Sequence, residues 1–355
     1  MSTATIESPV KTAAATATGG DASTPAEKMF KYIENLWAGR SIWIAAKIGL
    51  ADHLADGPKT AEQLAAATNT HAPSLYRVLR ALAGIDVICE TSAGKFELTP
   101  FGESLQTNVP GSLRATAIVE LGDDHYSAWE NILHAVRTGE TAFDNKFGMP
   151  IWKFYETHEE NQKNFDRCMV EMTGAIHRAI LEAYDFAPFK HITDIGGGHG
   201  ALVSTVLKEY PDLRGTVFDQ AHVAEGARKT FAEARLTQRT AAVGGDFFES
   251  VPGGADLYTM KFIIHDWDDA RCIKILQNIR KAIEPAGKLL IFDTVVPEGN
   301  TPHFGKLFDL NMLVMTGGRE RTEKEFAALL HQGGFHLARV VPTQSVISIV
   351  EAVPA

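Results

Sequence analysis

Nothing in this chain constrains its fold as tightly as the run from Lys190 to Asp219. A short apolar-alternating segment, His191 to Ile195, feeds the glycine cluster Gly196-Gly-Gly-His-Gly200. The cluster opens directly into a helical pattern with Leu202, Val203, Val206 and Leu207 on one face. A second short apolar run, residues 216–218, ends on the carboxylate of Asp219. Strand, tight turn, helix and strand in that order is the first unit of a doubly wound α/β sheet. Gly196, Gly198 and Gly200 have no Cβ, which suits a sharp turn whose backbone a ligand approaches closely. Their spacing is Gly-x-Gly-x-Gly, not the Gly-x-Gly-x-x-Gly of dinucleotide binders. An acid at the end of the second strand can accept hydrogen bonds from both hydroxyls of a ribose. The stretch therefore predicts a nucleoside-containing cofactor, and a purely structural turn is the competing reading.

The alternation of strand and helix continues downstream. A helix is expected over 221–236 and a strand over 240–244, leading into Gly245-Asp246-Phe247-Phe248. A fourth strand, 257–264, ends at His265-Asp-Trp-Asp-Asp269, and a helix over 270–283 stops at Pro285 and Gly287. A fifth strand, 288–296, carries Asp293 near its end. Helices over 304–316 and 323–332 flank Gly317-Gly-Arg-Glu-Arg-Thr322. The runs 335–341 and 346–351 are joined by a link too short for a parallel crossover, so an antiparallel hairpin should close the sheet edge.

At 355 residues the chain is long enough for two domains. Residues 1–24 are rich in Ala, Thr and Ser, with Lys11 the only basic side chain. They lack the charged start and apolar core of a signal peptide and are expected to form a disordered tail. Residues 25–110 begin with an amphipathic helix over 25–49 carrying Phe30, Ile33, Leu36, Trp37, Ile44 and Ile48. That is more bulky apolar surface than a small lobe usually buries by itself, which predicts self-association; filling the lobe's own core is the competing reading. Thr60 with Gln63 three residues on forms a capping-box pattern, and a helix over 74–84 turns Leu75, Val78, Leu79 and Leu82 inward. Two β-like runs, 87–90 and 95–98, complete a winged helix-turn-helix.

A DNA-binding role would use Arg77 and Arg80. The formal charge of −10 argues against it, since phosphate binding needs a cationic face and only Arg114 adds to those two locally. The lobe is expected to be a packing and dimerisation module. The three cysteines, Cys89, Cys168 and Cys272, show no Cys-x-x-Cys pair and suit a reducing compartment. With no apolar run of membrane-spanning length, the expected location is the cytoplasm. Residues 111–184 are mostly helical in pattern and rich in bulky side chains, among them Trp129, Met149, Phe165 and Met169. Placed just before the sheet domain, 185–355, they could roof a site for an aromatic substrate.

In an open α/β sheet ligands bind beyond the carboxyl ends of the strands. Here those ends carry the glycine turn, then Asp219, then Asp246 with Phe247, then His265 and Asp266, and finally Asp293. Asp246 could accept from an adenine amino group while Phe247 packs on the ring. His265 is the one titratable group among them whose ordinary pKa lies near neutrality, as a general base requires. Its second nitrogen needs an orienting carboxylate, for which Asp293 and Glu320 are the candidates. A satisfied structural histidine is the alternative.

With these motifs in place, the chain resembles the S-adenosylmethionine-dependent O-methyltransferases of the plant caffeic-acid and hydroxyindole type and their bacterial relatives. The match runs from about Lys28 to the C-terminus. It rests on Asp194-Ile-Gly-Gly-Gly-His-Gly200, Phe218-Asp219, Gly244-Gly-Asp-Phe-Phe248, Met260-Lys-Phe-Ile-Ile-His-Asp-Trp267 and Gly317-Gly-Arg-Glu-Arg-Thr322. The resemblance implies a Rossmann-like methyltransferase sheet, an N-terminal winged-helix dimerisation domain, S-adenosylmethionine as cofactor and a homodimer.

It further implies that His265 takes the proton from a phenolic hydroxyl, flanked by Glu320 and Asp293. Asp219 would hold the ribose and Asp246 with Phe247 the adenine, with Lys261 a further contact beside Asp194, Gly196, Gly198, Gly200 and Gln220. Phe165, Met169, Trp267 and Met312, with Trp129, Met149 and Asp266, fall where relatives meet the acceptor. Two positions depart from the pattern: Asp293 stands where glutamate is usual, and Gln220 where many relatives have leucine. The shorter Asp293 should grip His265 less well. The sulfonium already activates the methyl group, so the protein has to align an oxygen with it and remove a proton, with no metal needed. Nitrogen or carbon methylation on the same fold and a DNA-binding regulator that keeps the cofactor as effector are the rival readings. An NAD-dependent oxidoreductase is disfavoured by the glycine spacing.

Overall fold

The computed structural model describes residues 23–355. The expected disordered tail lies outside the described residues, except for its last two. Of these, Thr24 caps the first helix, α1 (Pro25–Lys47): its Oγ1 accepts the Glu27 N–H and the Glu27 carboxylate accepts the Thr24 N–H. After α2 (Leu50–Leu54), α3 (Ala61–Thr68) starts with the same device, built from Thr60 and Gln63 as the sequence predicts. α4 (Ala72–Gly84) begins two residues earlier than expected, because Pro73 fits the first helical turn, where its missing N–H has no partner to lose.

Leu75, Leu79 and Leu82 of α4 pack with Leu64 and Phe96 into the core of this lobe. β1 (Ile88–Glu90) and β2 (Phe96–Leu98) pair antiparallel as the wing. Arg77 and Arg80 are exposed.

The connecting region folds as six helices: α5 (Arg114–Glu120), α6 (Asp123–Glu130), α7 (Ile132–Thr138), α8 (Ala142–Phe147), α9 (Ile151–Thr157) and α10 (Glu159–Ala183). α5 has no side-chain cap of its own. Glu171 on α10 supplies it, accepting the N–H groups of Ala115 at 3.0 Å and Thr116 at 2.9 Å. An anionic side chain at the positive end of a helix is a favourable pairing, and here it binds α10 to the lobe.

The second domain is a seven-stranded sheet in the order β5-β4-β3-β6-β7-β9-β8. Its strands are β3 (His191–Ile195), β4 (Arg214–Asp219), β5 (Thr240–Gly244), β6 (Leu257–Lys261), β7 (Lys288–Asp293), β8 (Phe335–Pro342) and β9 (Ser348–Pro354). The first five run parallel, and β9 pairs antiparallel with both β7 and β8, which is the hairpin expected at the edge. α11 (Ala201–Glu209), α12 (Ala221–Glu233), α13 (Asp269–Ala282), α14 (Phe304–Met315) and α15 (Glu323–Gln332) complete the domain. One apolar cluster joins α11 and the end of α10 to the sheet, and another joins α13 and α15 to it. Strand order reverses between β3 and β6, the point at which open sheets of this kind bind ligands.

Three predicted elements run too long. β6 stops at Lys261, not 264, because Phe262 takes a left-handed backbone (φ +56°) and Ile264–Asp266 form a single helical turn. β7 stops at Asp293, not 296, although Val295 still bridges to Arg321. α12 stops at Glu233, and Arg235 beyond it adopts φ +59°. No helix among the described residues is long and apolar enough to cross a membrane.

Candidate active site

The turn after β3 is built as its glycines require. Gly196, Gly198 and Gly200 have φ of +68°, +57° and +77°, where a side chain is strained. A Cβ on Gly196 would come within 2.4 Å of Ile263, whereas one on Gly198 would meet nothing within 4 Å. The open side of the turn thus lies over Gly198. Its N–H donates to Asp219 Oδ2 at 2.8 Å, and the Gln220 N–H donates to Oδ1 at 2.7 Å. Each carboxylate oxygen keeps a further lone pair, so Asp219 can still receive two hydroxyls. Burial raises its pKa, offset in part by these two N–H donors and by the nearby His222 and His199.

Asp194 lies beneath the turn. It accepts from Thr259 Oγ1 at 2.6 Å, and a Cβ on Gly197 would come within 2.7 Å of it. Burial holds its pKa up at about 6. Lys261, at the end of β6, is pushed down to about 8 by burial, against the pull of Asp194 and Asp293. Asp246 is exposed after β5, with one oxygen bonded to the Phe248 N–H, and Phe247 meets Phe248 and Trp267 edge-on. An open glycine cradle, a ribose-ready acid and an exposed acid beside an aromatic cluster together fit a cofactor with a nucleoside end.

His265 sits in the helical turn after β6 and is 4 % exposed. Its Nδ1 is 2.7 Å from Glu320 Oε1, 3.8 Å from Asp293 Oδ1, and its Nε2 is 3.7 Å from Asp266 Oδ1. Glu320 is therefore the hydrogen-bonded partner. Both Asp293 oxygens are buried without one, the weaker grip expected of the shorter side chain. Burial alone would lower the imidazole pKa, but Asp293, Asp266 and Glu320 outweigh it and hold it at about 10. Burial likewise lifts Asp293 to about 7 and Asp266 to about 6. The Phe262 ring stacks on the imidazole at 5.2 Å and Phe308 on α14 lies at 5.7 Å.

The segment carrying Glu320 is locked to the segment carrying His265. Arg321, 1 % exposed, donates to the carbonyls of Ile264 at 3.0 Å and Trp267 at 3.1 Å and to Asp269 at 2.8 Å. A Cβ on Gly318 would fall 1.9 Å from the His265 carbonyl oxygen. The Glu320 N–H is itself held by Asp309 of α14 at 2.8 Å.

Of the expected acceptor contacts, Trp129, Met149 and Phe165 share one apolar cluster, and Phe165 links it to Met169. Met312 is buried on α14, and Asp266 adjoins His265. Trp267 packs with Phe247 and Phe248. Phe262, Phe308, Arg321 and Asn311 were not singled out from sequence. The first and third lie within the quoted motifs, but their contacts are long-range. His177 on α10 was missed too. It is buried, its Nε2 has no partner, and burial with the charge of Lys261 lowers its pKa to about 3.

Comparison with known proteins gives two family matches. The model of an O-methyltransferase domain matches residues 129–336, and that of an O-methyltransferase dimerisation domain matches residues 30–108. The phenazine O-methyltransferase of Lysobacter antibioticus is 46% identical over 326 residues, covering 92% of this chain and 95% of the relative. The 8-amino-8-demethylriboflavin N,N-dimethyltransferase of Streptomyces davaonensis is 36% identical, covering 92% and 95%. The crystal structure of an O-methyltransferase from neocarzinostatin biosynthesis, in complex with S-adenosylmethionine and 2-hydroxy-5-methyl naphthoic acid, aligns with a TM-score of 0.79 at 31% identity. It covers 90% of this chain and 96% of that one.

Proposed function

This chain belongs to the S-adenosylmethionine-dependent O-methyltransferases, and we propose that it methylates a hydroxyl of a small aromatic acceptor with His265 as general base. The bound cofactor supplies a methyl group already activated by sulfonium charge. Asp219 would receive the ribose hydroxyls, and the glycine turn would follow the backbone of the cofactor. Asp246 and Phe247 would hold the adenine end, with Lys261 nearby.

One observation carries the assignment of the base: Nδ1 of His265 is committed to Glu320 at 2.7 Å. That bond fixes the tautomer in which Nδ1 bears the proton and leaves Nε2 to accept one from the substrate hydroxyl. Holding two reactants in line contributes up to about 7–11 kcal/mol, and a positioned base about 10²–10⁴-fold in rate. Acceptor contact would fall to Phe165, Met169 and Met312, with Trp129 and Met149 as further candidates. The dimerisation-domain match and the uncovered apolar residues of α1 support a homodimer.

The test begins with calorimetric titration of S-adenosylhomocysteine. Asp219→Ala should weaken binding about 10- to 100-fold, the loss of hydrogen bonds to a charged group. His265→Asn should keep the affinity and lower phenol methylation by about 10²–10⁴-fold. Unchanged turnover in a folded His265→Asn protein would reject the base and favour an amine acceptor. The riboflavin relative, named for an N,N-dimethyl transfer, makes that the second reading.

A further inference from the structure

Phe262 is an aromatic residue in a backbone conformation that glycine favours. Its φ is +56°; Asn69, Asp86 and Asn108, whose short polar side chains tolerate that region, share it, as does Arg235 just past α12. Glycine would take the same backbone at no steric cost. What glycine cannot supply is a ring. An outlier of this kind beside a site is a reason to ask what its side chain does.

The ring lies nearly parallel to the His265 imidazole, with 5.2 Å between centroids and 14° between planes. Phe308 adds a tilted neighbour at 5.7 Å, and the Lys261 ammonium stands 5.0 Å over the Phe262 ring. Among the described residues one hydrogen bond holds the imidazole, between Nδ1 and Glu320 Oε1 at 2.7 Å. A bond along one N–H axis fixes a direction but leaves the plane free to turn about that axis, which would swing Nε2 through an arc. A face-to-face contact fixes the plane. An aromatic face also attracts a cation, so the same contact favours the protonated imidazole.

We propose that Phe262 is a positioning residue for methyl transfer: its ring fixes the plane of the imidazole, so that Nε2 keeps its aim at the acceptor hydroxyl, and favours the proton that Nε2 receives. The inference rests on the reading of His265 as the base. The left-handed backbone is the means, since it ends β6 and lets the side chain of residue 262 meet that of residue 265. Bulk is the competing explanation, because Phe262 also packs against the apolar cluster that joins α11 to the sheet.

The experiment separates bulk from aromaticity. It is a pH titration of the His265 imidazole by NMR, in protein carrying isotope-labelled histidine and loaded with S-adenosylhomocysteine. The signal absent from His265→Asn identifies the residue. The charged groups around the imidazole are Asp266 on its own turn, Asp293 on β7, Glu320 and Arg321 before α15, Lys261 on β6 and Asp309 on α14. Substituting Phe262 changes none of them. The wild-type imidazole should keep its second proton well past neutrality and, on losing it, hold a single tautomer with the remaining proton on Nδ1. Phe262→Leu and Phe262→Met keep apolar bulk; they should lower the midpoint by about half to one pH unit and give a mixture of tautomers. Phe262→Tyr keeps the ring and should match the wild type. With 1-naphthol as methyl acceptor, kcat in the Leu and Met variants should fall about 10- to 100-fold while KM moves less than about threefold, as when the lost contact orients a reacting group.

A midpoint and tautomer unmoved in the Leu and Met variants, or moved equally in Phe262→Tyr, overturn the proposal. Two apolar variants are used so that if one misfolds, seen as lost S-adenosylhomocysteine binding, the other decides. The titration needs no acceptor and decides the point even where 1-naphthol is not methylated. Unchanged turnover in His265→Asn instead rejects the base, and the positioning role falls with it.

Discussion

At the scale of single residues the site is a problem of protons. His265, Asp266, Asp293 and Glu320 are each at least nine-tenths buried and share one small volume. The titrations of His265, Asp266 and Asp293 are therefore linked. Because His265 is held at about 10, the acceptor-free protein carries it as a cation at neutral pH. In the role proposed for it, a general base, it must be neutral to act, so methyl transfer should rise with pH from about 7 towards 10. Asp293→Asn removes a negative charge that favours the cation, so its rising limb should move to lower pH; a profile unmoved by that substitution would refute the coupling. Asp293→Glu should do the reverse by letting the longer side chain reach Nδ1. Stability follows the same protons. A pKa raised in the folded state adds stability that is complete below the ordinary histidine value and is lost as pH climbs through about 10. Asp293, raised to about 7, acts in the same direction, since its ionisation is disfavoured in the folded state as pH passes from its ordinary value up to 7. Thermal unfolding should therefore move to lower temperature between pH 6 and 10, and His265→Asn should flatten the upper part of that decline.

At the scale of elements, the turn after β6 and the segment before α15 behave as one part. Arg321 holds two carbonyls of the turn, Gly318 lies against a third, and Glu320 holds the imidazole. The turn also contains Phe262 in a left-handed conformation, which costs a residue with a Cβ about 1–2 kcal/mol and persists only where neighbours enforce it. Gly318→Ala should push the turn off its seat, lowering kcat at least tenfold while S-adenosylhomocysteine affinity changes little. Arg321→Met should cost about 1–3 kcal/mol of stability, since it leaves the carbonyls of Ile264 and Trp267 without a donor while Asp269 keeps Arg319; denaturant unfolding measures it. Much of this domain was legible in the sequence. Short apolar runs mark β3, β4 and β7, and the glycine spacing marks the tight turn after β3. The end of β6 was not legible, because Phe262, Ile263 and Ile264 continue the apolar run of the strand, and periodicity cannot report a backbone that turns left-handed. Nor could local pattern show that Glu171 caps a helix more than fifty residues upstream, or that Trp267 packs with Phe247.

At the scale of the whole molecule, α1 is a helix that its own lobe covers at one end only. Ala45 and Ala46 are buried near its C-terminus, whereas Met29, Phe30, Tyr32, Ile33, Leu36 and Trp37 are each about half exposed or more. A contiguous apolar surface of this size is characteristic of a protein–protein contact. The covered end is tied to α5, α6 and the link between them. Arg40 donates to the Leu121 carbonyl at 2.6 Å and stacks over Trp43 and Tyr126, and Arg114 donates to the Ala46 carbonyl at 2.9 Å. Pairing of two copies through α1 would thus steady α5 and, with it, α6, which carries Trp129, without touching the glycine turn in the sheet domain. Combining Phe30→Asp with Trp37→Asp should convert a dimer to a monomer in light scattering, since each aromatic side chain returned to water forfeits about 1.5–3 kcal/mol. The wild type should unfold at a temperature that rises with protein concentration, and the double variant should lose that dependence. S-adenosylhomocysteine affinity should stay within about twofold in the monomer, because sites with no shared partners vary independently. The KM for the acceptor should rise, because the roof helices lose their support. A double variant that remains dimeric would move the interface off α1, and the exposed Phe304 and Leu307 of α14 would then be the next apolar surface to substitute.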